Sequence, residues 1–179
     1  EIRPDISLTG VTQNQVIKDS VSLSSEQNFS AAYIIYEITN KARGKTFKTQ
    51  EQDPLGSYLW TPPVEFNGNV EIKVTAYDQK KRSYESRSVS VKVDVPHKLS
   101  LSGVKAGQTV DKEVTLLASR NFDVTETEYF IKDKKTSKIQ SLAKIPYGSI
   151  KWFPGPEYAG EKELFVTVKT TDGTSYTSE

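Results

Sequence analysis

The chain has 179 residues, 35% hydrophobic and 26% charged, with 24 basic side chains against 23 acidic ones and a net charge of +1. That balance is globular and leaves no bulk positive field for nucleic acid. No apolar run reaches the ~20 residues of a membrane-spanning helix, and the absence of Cys removes disulfides, thiolate metal sites and thiol catalysis.

Without Met or a signal-peptide pattern, Glu1 is expected to be a processed or excised start. The first segment, residues 6–29, reads ISLTGVTQNQVIKDSVSLSSEQNF. Val21 and Leu23 alternate with serines there, the period-two pattern of a strand with one buried face, while Gly10 and Asn14 mark turns. A second strand is expected over 31–38, AAYIIYEI. Asp53-Pro54 is a turn, and Trp60 closes a strand because Thr61-Pro62-Pro63 follows. After Asn67-Gly68-Asn69, Val70, Ile72, Val74 and Ala76 point one way while Glu71, Lys73 and Thr75 point the other. Val89, Val91 and Val93 alternate in the same manner. Asp94-Val95-Pro96-His97 reads as a junction, and its proline predicts a stiff, end-to-end linkage.

Beyond the junction the pattern starts again. Residues 99–122 read LSLSGVKAGQTVDKEVTLLASRNF and align with the first segment at an offset of 93. Leu8/Leu101, Gly10/Gly103, Gln15/Gln108, Leu23/Leu116, Asn28/Asn121 and Phe29/Phe122 are identical, and Tyr36/Tyr129 continues the series. After a one-residue deletion the offset becomes 92, pairing Pro54/Pro146, Trp60/Trp152, Pro62/Pro154, Gly68/Gly160, Val74/Val166 and Tyr84/Tyr176. We read two copies of one module, 1–95 and 96–179. Their charges are even, 12 basic and 12 acidic in the first, 12 and 11 in the second. About seven short strands per ~90 residues, with no helical stripe, predict an all-β fold of two immunoglobulin-like β-sandwich domains in tandem.

Trp60-Thr-Pro-Pro, Gly68-Asn69, Ile72-Lys-Val-Thr-Ala-Tyr-Asp78 and Val89-Ser-Val-Lys-Val93 resemble the tandem bacterial Ig-like domains of Gram-positive surface proteins, adhesins and cell-wall hydrolases. The first module departs from that pattern at Gln79-Lys80-Lys81-Arg82, where a turn glycine is expected; the second keeps it as Gly173. The resemblance implies a secreted or cell-surface accessory module. It implies a noncatalytic spacer or stalk that positions a neighbouring domain of a larger chain. Adhesion, or binding of a carbohydrate or cell-wall polymer, is the alternative, and membership of a glycan-active enzyme the second.

Candidate chemistry is sparse. His97 is the only imidazole, sits at the junction, and has no G-x-S-x-G nucleophile elbow to serve. Glu65/Glu157 and Glu71/Glu163 recur in both copies, but the latter pair falls on a wet strand face rather than in a glycosidase cleft. Asp78, Asp94 and Asp172 are placed to set turns, and no calcium-loop motif accompanies them. No catalytic residue, metal site or cofactor is therefore expected. Basic clusters stand at Lys80, Lys81 and Arg82 and at Lys132, Lys134, Lys135 and Lys138, where hairpin loops should lie. Tyr33 and Ile35 fall on the outward face of their strand, where the second copy has Glu126 and Glu128. Tyr33, Ile35, Lys80, Lys81 and Arg82 are the candidate binding residues.

Two structural expectations follow from the repeat. Trp60 and Trp152 should be largely buried at equivalent places. The second copy, whose Ser178 matches Ser86, should lack the strand corresponding to Val89–Val93, and the native protein is expected to continue past Glu179.

Overall fold

The structure, a computed structural model, describes residues 2–179. It is all-β and divides into two units, Glu1–Pro96 and His97–Glu179. Each is a sandwich of two sheets.

In the first unit, β1 (Ile6–Thr9), β3 (Val21–Gln27) and β6 (Tyr58–Trp60) form a three-stranded sheet in the order β1-β3-β6. The facing sheet has the order β2-β9-β7-β4-β5, built from β2 (Val16–Ile17), β9 (Val89–Val93), β7 (Gly68–Tyr77), β4 (Tyr33–Asn40) and β5 (Lys45–Lys48). The short β8 (Ser83–Glu85) pairs with the far end of β7. The period-two reading holds residue by residue. Ile34, Tyr36 and Ile38 of β4 and Val70, Ile72, Val74 and Ala76 of β7 are all at most 1% exposed, and they meet Leu23 and Trp60 of the other sheet in one core. β9 lies antiparallel to β7 over Gly68–Ile72 and parallel to β2, so Val91 and Val93 are sealed between two neighbours.

The second unit repeats this layout with fewer strands. β10 (Leu99–Ser102), β11 (Val114–Arg120) and β14 (Ser149–Trp152) make one sheet. β12 (Glu126–Asp133), β13 (Ile139–Ile145), β15 (Lys162–Lys169) and β16 (Ser175–Thr177) make the other, in the order β13-β12-β15-β16. Its core is Leu116, Ala118, Phe122, Tyr129, Ile131, Val166 and Val168.

What the copies share is framework. A Cβ on Gly10 would sit 2.0 Å from the Ser22 carbonyl oxygen, and one on Gly103 would sit 1.8 Å from that of Thr115; both glycines have positive φ. No other residue fits where the turn crosses the next strand so closely. The Asn28 side chain accepts the Asp5 N–H at 2.7 Å, and Asn121 accepts the Lys98 N–H at 2.8 Å. Ser86 takes the Val74 N–H on its hydroxyl and gives its own N–H to the Val74 carbonyl; Ser178 does the same with Val166. The missing turn glycine of the first copy is also accounted for. Lys81 adopts φ +60° where Gly173 adopts +84°, and each closes the same four-residue turn.

Candidate functional surface

The outward face of the first unit's larger sheet carries Tyr33 and Ile35. Both are half-buried. Register places Tyr33 opposite Tyr77 and Ile35 opposite Thr75. The two tyrosine rings stack with centroids 4.7 Å apart and planes 15° apart. Loss of water, then the nearby Glu51 carboxylate, raises the Tyr33 phenol above its ordinary range.

Tyr77 is the last residue of β7, so the turn with Lys80, Lys81 and Arg82 follows directly from the stacked pair. Asp78 organises that turn. Its Oδ1 accepts the N–H groups of Lys80 and Arg82, each at 2.9 Å, and its Oδ2 receives Arg82 Nε at 2.8 Å. Burial alone would push this carboxyl up; the Arg82 backbone and guanidinium donors outweigh it and hold the carboxyl below its usual value. Arg82 is thus committed to the turn. Lys80 and Lys81 are exposed and carry the loop's outward charge. The fold therefore gathers all five predicted residues at one end of one sheet.

Further along the same face, Glu37 pairs with Lys48 at 2.8 Å and Lys73 at 3.6 Å, and Lys73 also reaches Glu85 at 3.4 Å. The hydrogen bond from Lys48, with Lys73 beside it, holds Glu37 below the ordinary carboxylate range. In the second unit these pairs are exchanged. Glu126 and Lys169 occupy the positions of Tyr33 and Tyr77 as an ion pair at 3.4 Å. Phe130 and Phe165 occupy those of Glu37 and Lys73, stacked at 5.1 Å. At these two cross-strand positions each unit has one ion pair and one aromatic stack, with the positions swapped.

The remaining candidates have structural partners. His97 stacks on Tyr176 at 4.7 Å and meets the edge of Phe122 at 4.9 Å. Phe29 and Tyr84 form the matching contact in the first unit, also at 4.7 Å. Glu71 forms an exposed pair with Lys41, and Glu163 one with Lys132. Asp172 accepts the Thr174 N–H within its hairpin. Among the described residues no cluster of three His, Cys, Asp or Glu side chains is placed to hold a metal ion. Also among them, no helix is long and apolar enough to cross a membrane.

Two features escaped the sequence. The first is Tyr77, which only cross-strand register places against Tyr33. The second is a groove of about 770 Å³ along β15, opening on Leu101, Val104, Val110, Trp152, Tyr158 and Leu164. In the first unit Leu8, Val11 and Ile17 stand at the places of Leu101, Val104 and Val110, and all three are buried. Trp60 is 4% exposed, whereas Trp152 is half-buried; among the described residues no strand of the second unit corresponds to β9.

No protein-family profile matches the chain, and neither does any curated protein sequence. Solved structures do. Fibronectin(III)-like modules of Clostridium thermocellum CbhA align over 97% of this chain and 92% of theirs, at 13% identity and a TM-score of 0.39. A tetra-tandem repeat in the extending region of a large adhesion protein aligns over 98% of this chain at 15% identity and a TM-score of 0.37. A biofilm-associated protein BSP domain aligns over 96% at 13% identity and a TM-score of 0.33. The chain spans 48% of the second of these structures and 28% of the third. The sandwich assignment rests on the strand pairings described above.

Proposed function

We propose that the chain is a noncatalytic tandem of Ig-like modules, two copies of one unit, that spaces neighbouring domains of a larger secreted or wall-associated bacterial protein. One observation carries this reading. The two copies keep the residues that build the frame, including Gly10/Gly103, Asn28/Asn121 and Ser86/Ser178, while their outward faces exchange ion pairs for aromatic stacks. A repeated ligand site would repeat its contact residues; a repeated structural unit need repeat only its frame. The displaced carboxyl groups fit the same reading. Glu37, Asp78, Glu126 and Asp133 are all held low by partners that close turns or bridge strands.

A second reading, glycan or wall-polymer contact, is favoured by the stacked Tyr33–Tyr77 pair beside the exposed Lys80 and Lys81. Aromatic faces next to exposed cations suit sugar rings that bear anionic groups. A pull-down with purified cell walls, anionic wall polymer and neutral polysaccharide separates the two. The spacer reading expects no retention above a scrambled-surface control. Saturable retention lost in both Tyr33→Ala and the Lys80→Ala/Lys81→Ala double variant would replace it with the second.

A further inference from the structure

The sheet faces exchange their pairs between copies, but one charged surface feature recurs. Residues 39–45 read TNKARGK and residues 132–138 read KDKKTSK, equivalent at offset 93. The first segment joins β4 to β5 and the second joins β12 to β13. Lys41/Lys134 and Lys45/Lys138 are identical, and a further cation stands between them in each, Arg43 in the first and Lys135 in the second. The basic turn at Lys80, Lys81 and Arg82 does not recur; the second copy has Asp172-Gly173-Thr174 there.

The frame does not require these cations. In the first hairpin Asn40 Oδ1 accepts the Arg43 N–H at 3.1 Å, and the Gly44 N–H reaches the Lys41 carbonyl at 3.2 Å. In the second, Asp133 accepts the Lys135 and Thr136 N–H groups at 2.9 and 2.7 Å, and the Ser137 N–H reaches the Asp133 carbonyl at 2.8 Å. Gly44 takes φ +63° and Ser137 φ +60°. The capping residue and the left-handed residue both differ between copies, while the charges persist. Most of those charges also lack partners. Lys41 and Lys132 pair with Glu71 and Glu163, but among the described residues Arg43, Lys45, Lys134, Lys135 and Lys138 form no ion pair. Residues 41–45 and 134–138 are all exposed.

We propose that each hairpin tip is a contact for an anionic lipid surface. Three cations and no carboxylate in the first segment, and four cations and one carboxylate in the second, give each a net +3. Outside them, residues 1–95 hold 9 basic against 12 acidic side chains, and residues 96–179 hold 8 against 10. A layer of negative headgroups therefore attracts the tip and repels the rest of its unit, which turns the unit tip-first. Shape selects the occupant. Neither segment holds an aromatic ring to stack on a sugar or a base. An exposed turn is convex and offers no groove to track a single polymer strand. A plane of closely spaced phosphates meets several cations at once and needs neither device. The methylene stems of Lys and Arg can lie along that layer while their charged ends stay in water. The contact is independent of the spacing role, because it acts whatever domains flank the pair.

The test is flotation of the full chain with vesicles of phosphatidylglycerol and phosphatidylcholine in equal parts, and with vesicles of phosphatidylcholine alone. The expected result is saturable binding to the first and none to the second, lost when ~1 M salt shortens the screening length to ~3 Å. The variant Arg43→Gln/Lys45→Gln/Lys135→Gln/Lys138→Gln removes two cations from each tip. At about fivefold per cation near a charged surface, it should bind at least ~25-fold more weakly. The control Lys18→Gln/Lys80→Gln/Lys81→Gln/Lys112→Gln removes the same charge from exposed side chains elsewhere and should bind clearly better than the tip variant. Arg43→Lys/Lys135→Arg keeps the charge and should bind like the parent chain. Absence of saturable binding to the anionic vesicles would overturn the proposal. Equal weakening by the control set would also overturn it, because net charge alone would then explain the binding. So would tighter binding to soluble polyglycerol phosphate than to vesicles of equal phosphate content, which would make the occupant a polymer strand.

Discussion

Replacing Tyr36 and Tyr129 by Phe, one at a time, should move the two units in opposite directions. The residues are equivalent, and each is fully buried at the centre of its core. Their hydroxyls differ. Tyr129 Oη accepts the Ala118 N–H at 3.0 Å and donates to the Gly148 carbonyl at 2.8 Å. Tyr36 Oη is buried with no partner among the described residues. Burial pushes the Tyr36 phenol up to about 12. An unpaired buried hydroxyl costs roughly 1–3 kcal/mol, so Tyr36→Phe should be neutral or stabilise the first unit by ~1 kcal/mol. Tyr129→Phe removes two hydrogen bonds and strands a buried N–H, a loss of ~2 kcal/mol or more. Native-state hydrogen exchange reads each unit separately, at Ile34–Ile38 for the first and Glu128–Ile131 for the second. A loss of more than ~1 kcal/mol in Tyr36→Phe would refute the reasoning, since the hydroxyl must then make a stabilising hydrogen bond.

Acid should weaken the second unit partly through Asp133. The Lys162 hydrogen bond first, then the Thr136 N–H, hold its carboxyl well below the ordinary aspartate range in the folded state. A lowered folded pKa stabilises above the unfolded value of ~3.9 and is lost as pH falls through the folded value. Stability of the second unit in urea should therefore fall below about pH 4, and Asp133→Asn should flatten that limb while lowering the neutral plateau. Lys81→Gly should leave the first unit unchanged or raise its melting temperature slightly, because the ~1 kcal/mol cost of a side chain at positive φ is relieved against glycine's entropy. Gly173→Ala should lower that of the second by the equivalent of ~1 kcal/mol, and calorimetry distinguishes the two signs. Trp60→Ala should cost ~3–5 kcal/mol and Trp152→Ala clearly less, since the second indole already borders the groove; equal losses in urea melts would contradict the difference in burial.

Much of this architecture was legible because a half-buried strand writes its burial into every second residue. The alternating Val70, Ile72, Val74 and Ala76 form a fully buried row, and the offset between the copies locates the equivalent turns. Short elements were less legible. β2 spans only Val16–Ile17 and β8 only Ser83–Glu85, too few residues for a period to register. Their existence depends on partners far along the chain, β9 for the one and the end of β7 for the other. The surface was legible as a set of outward positions and not as pairs. Tyr33 and Glu37 could be placed on one face from spacing alone, but the identity of their neighbours, Tyr77 and Lys73, is fixed by register between strands about forty residues apart.

The same limit explains how a charge came to sit in a core position. At offset 92 Val70 aligns with Lys162, a substitution that reads as destructive for a residue 1% exposed in its own copy. Register supplies the compensation. Lys162 lies directly opposite Asp133, and Asp133 stands where the first unit has Asn40. Asn40 is fully buried and uses its amide to hold the Phe66 and Asn67 carbonyls, each at 3.0 Å, and its oxygen to accept the Arg43 N–H. Asp133 has no amide donors to offer; its carboxylate caps the Lys135 and Thr136 N–H groups and takes the Lys162 ammonium. The pairs Asn40/Val70 and Asp133/Lys162 are thus two self-consistent solutions to one corner of the sandwich, and a half-exchange would leave either a buried unpaired charge or an orphaned carboxylate. The residue that looked like a break in the repeat therefore marks the place where the second unit's sheet differs from the first.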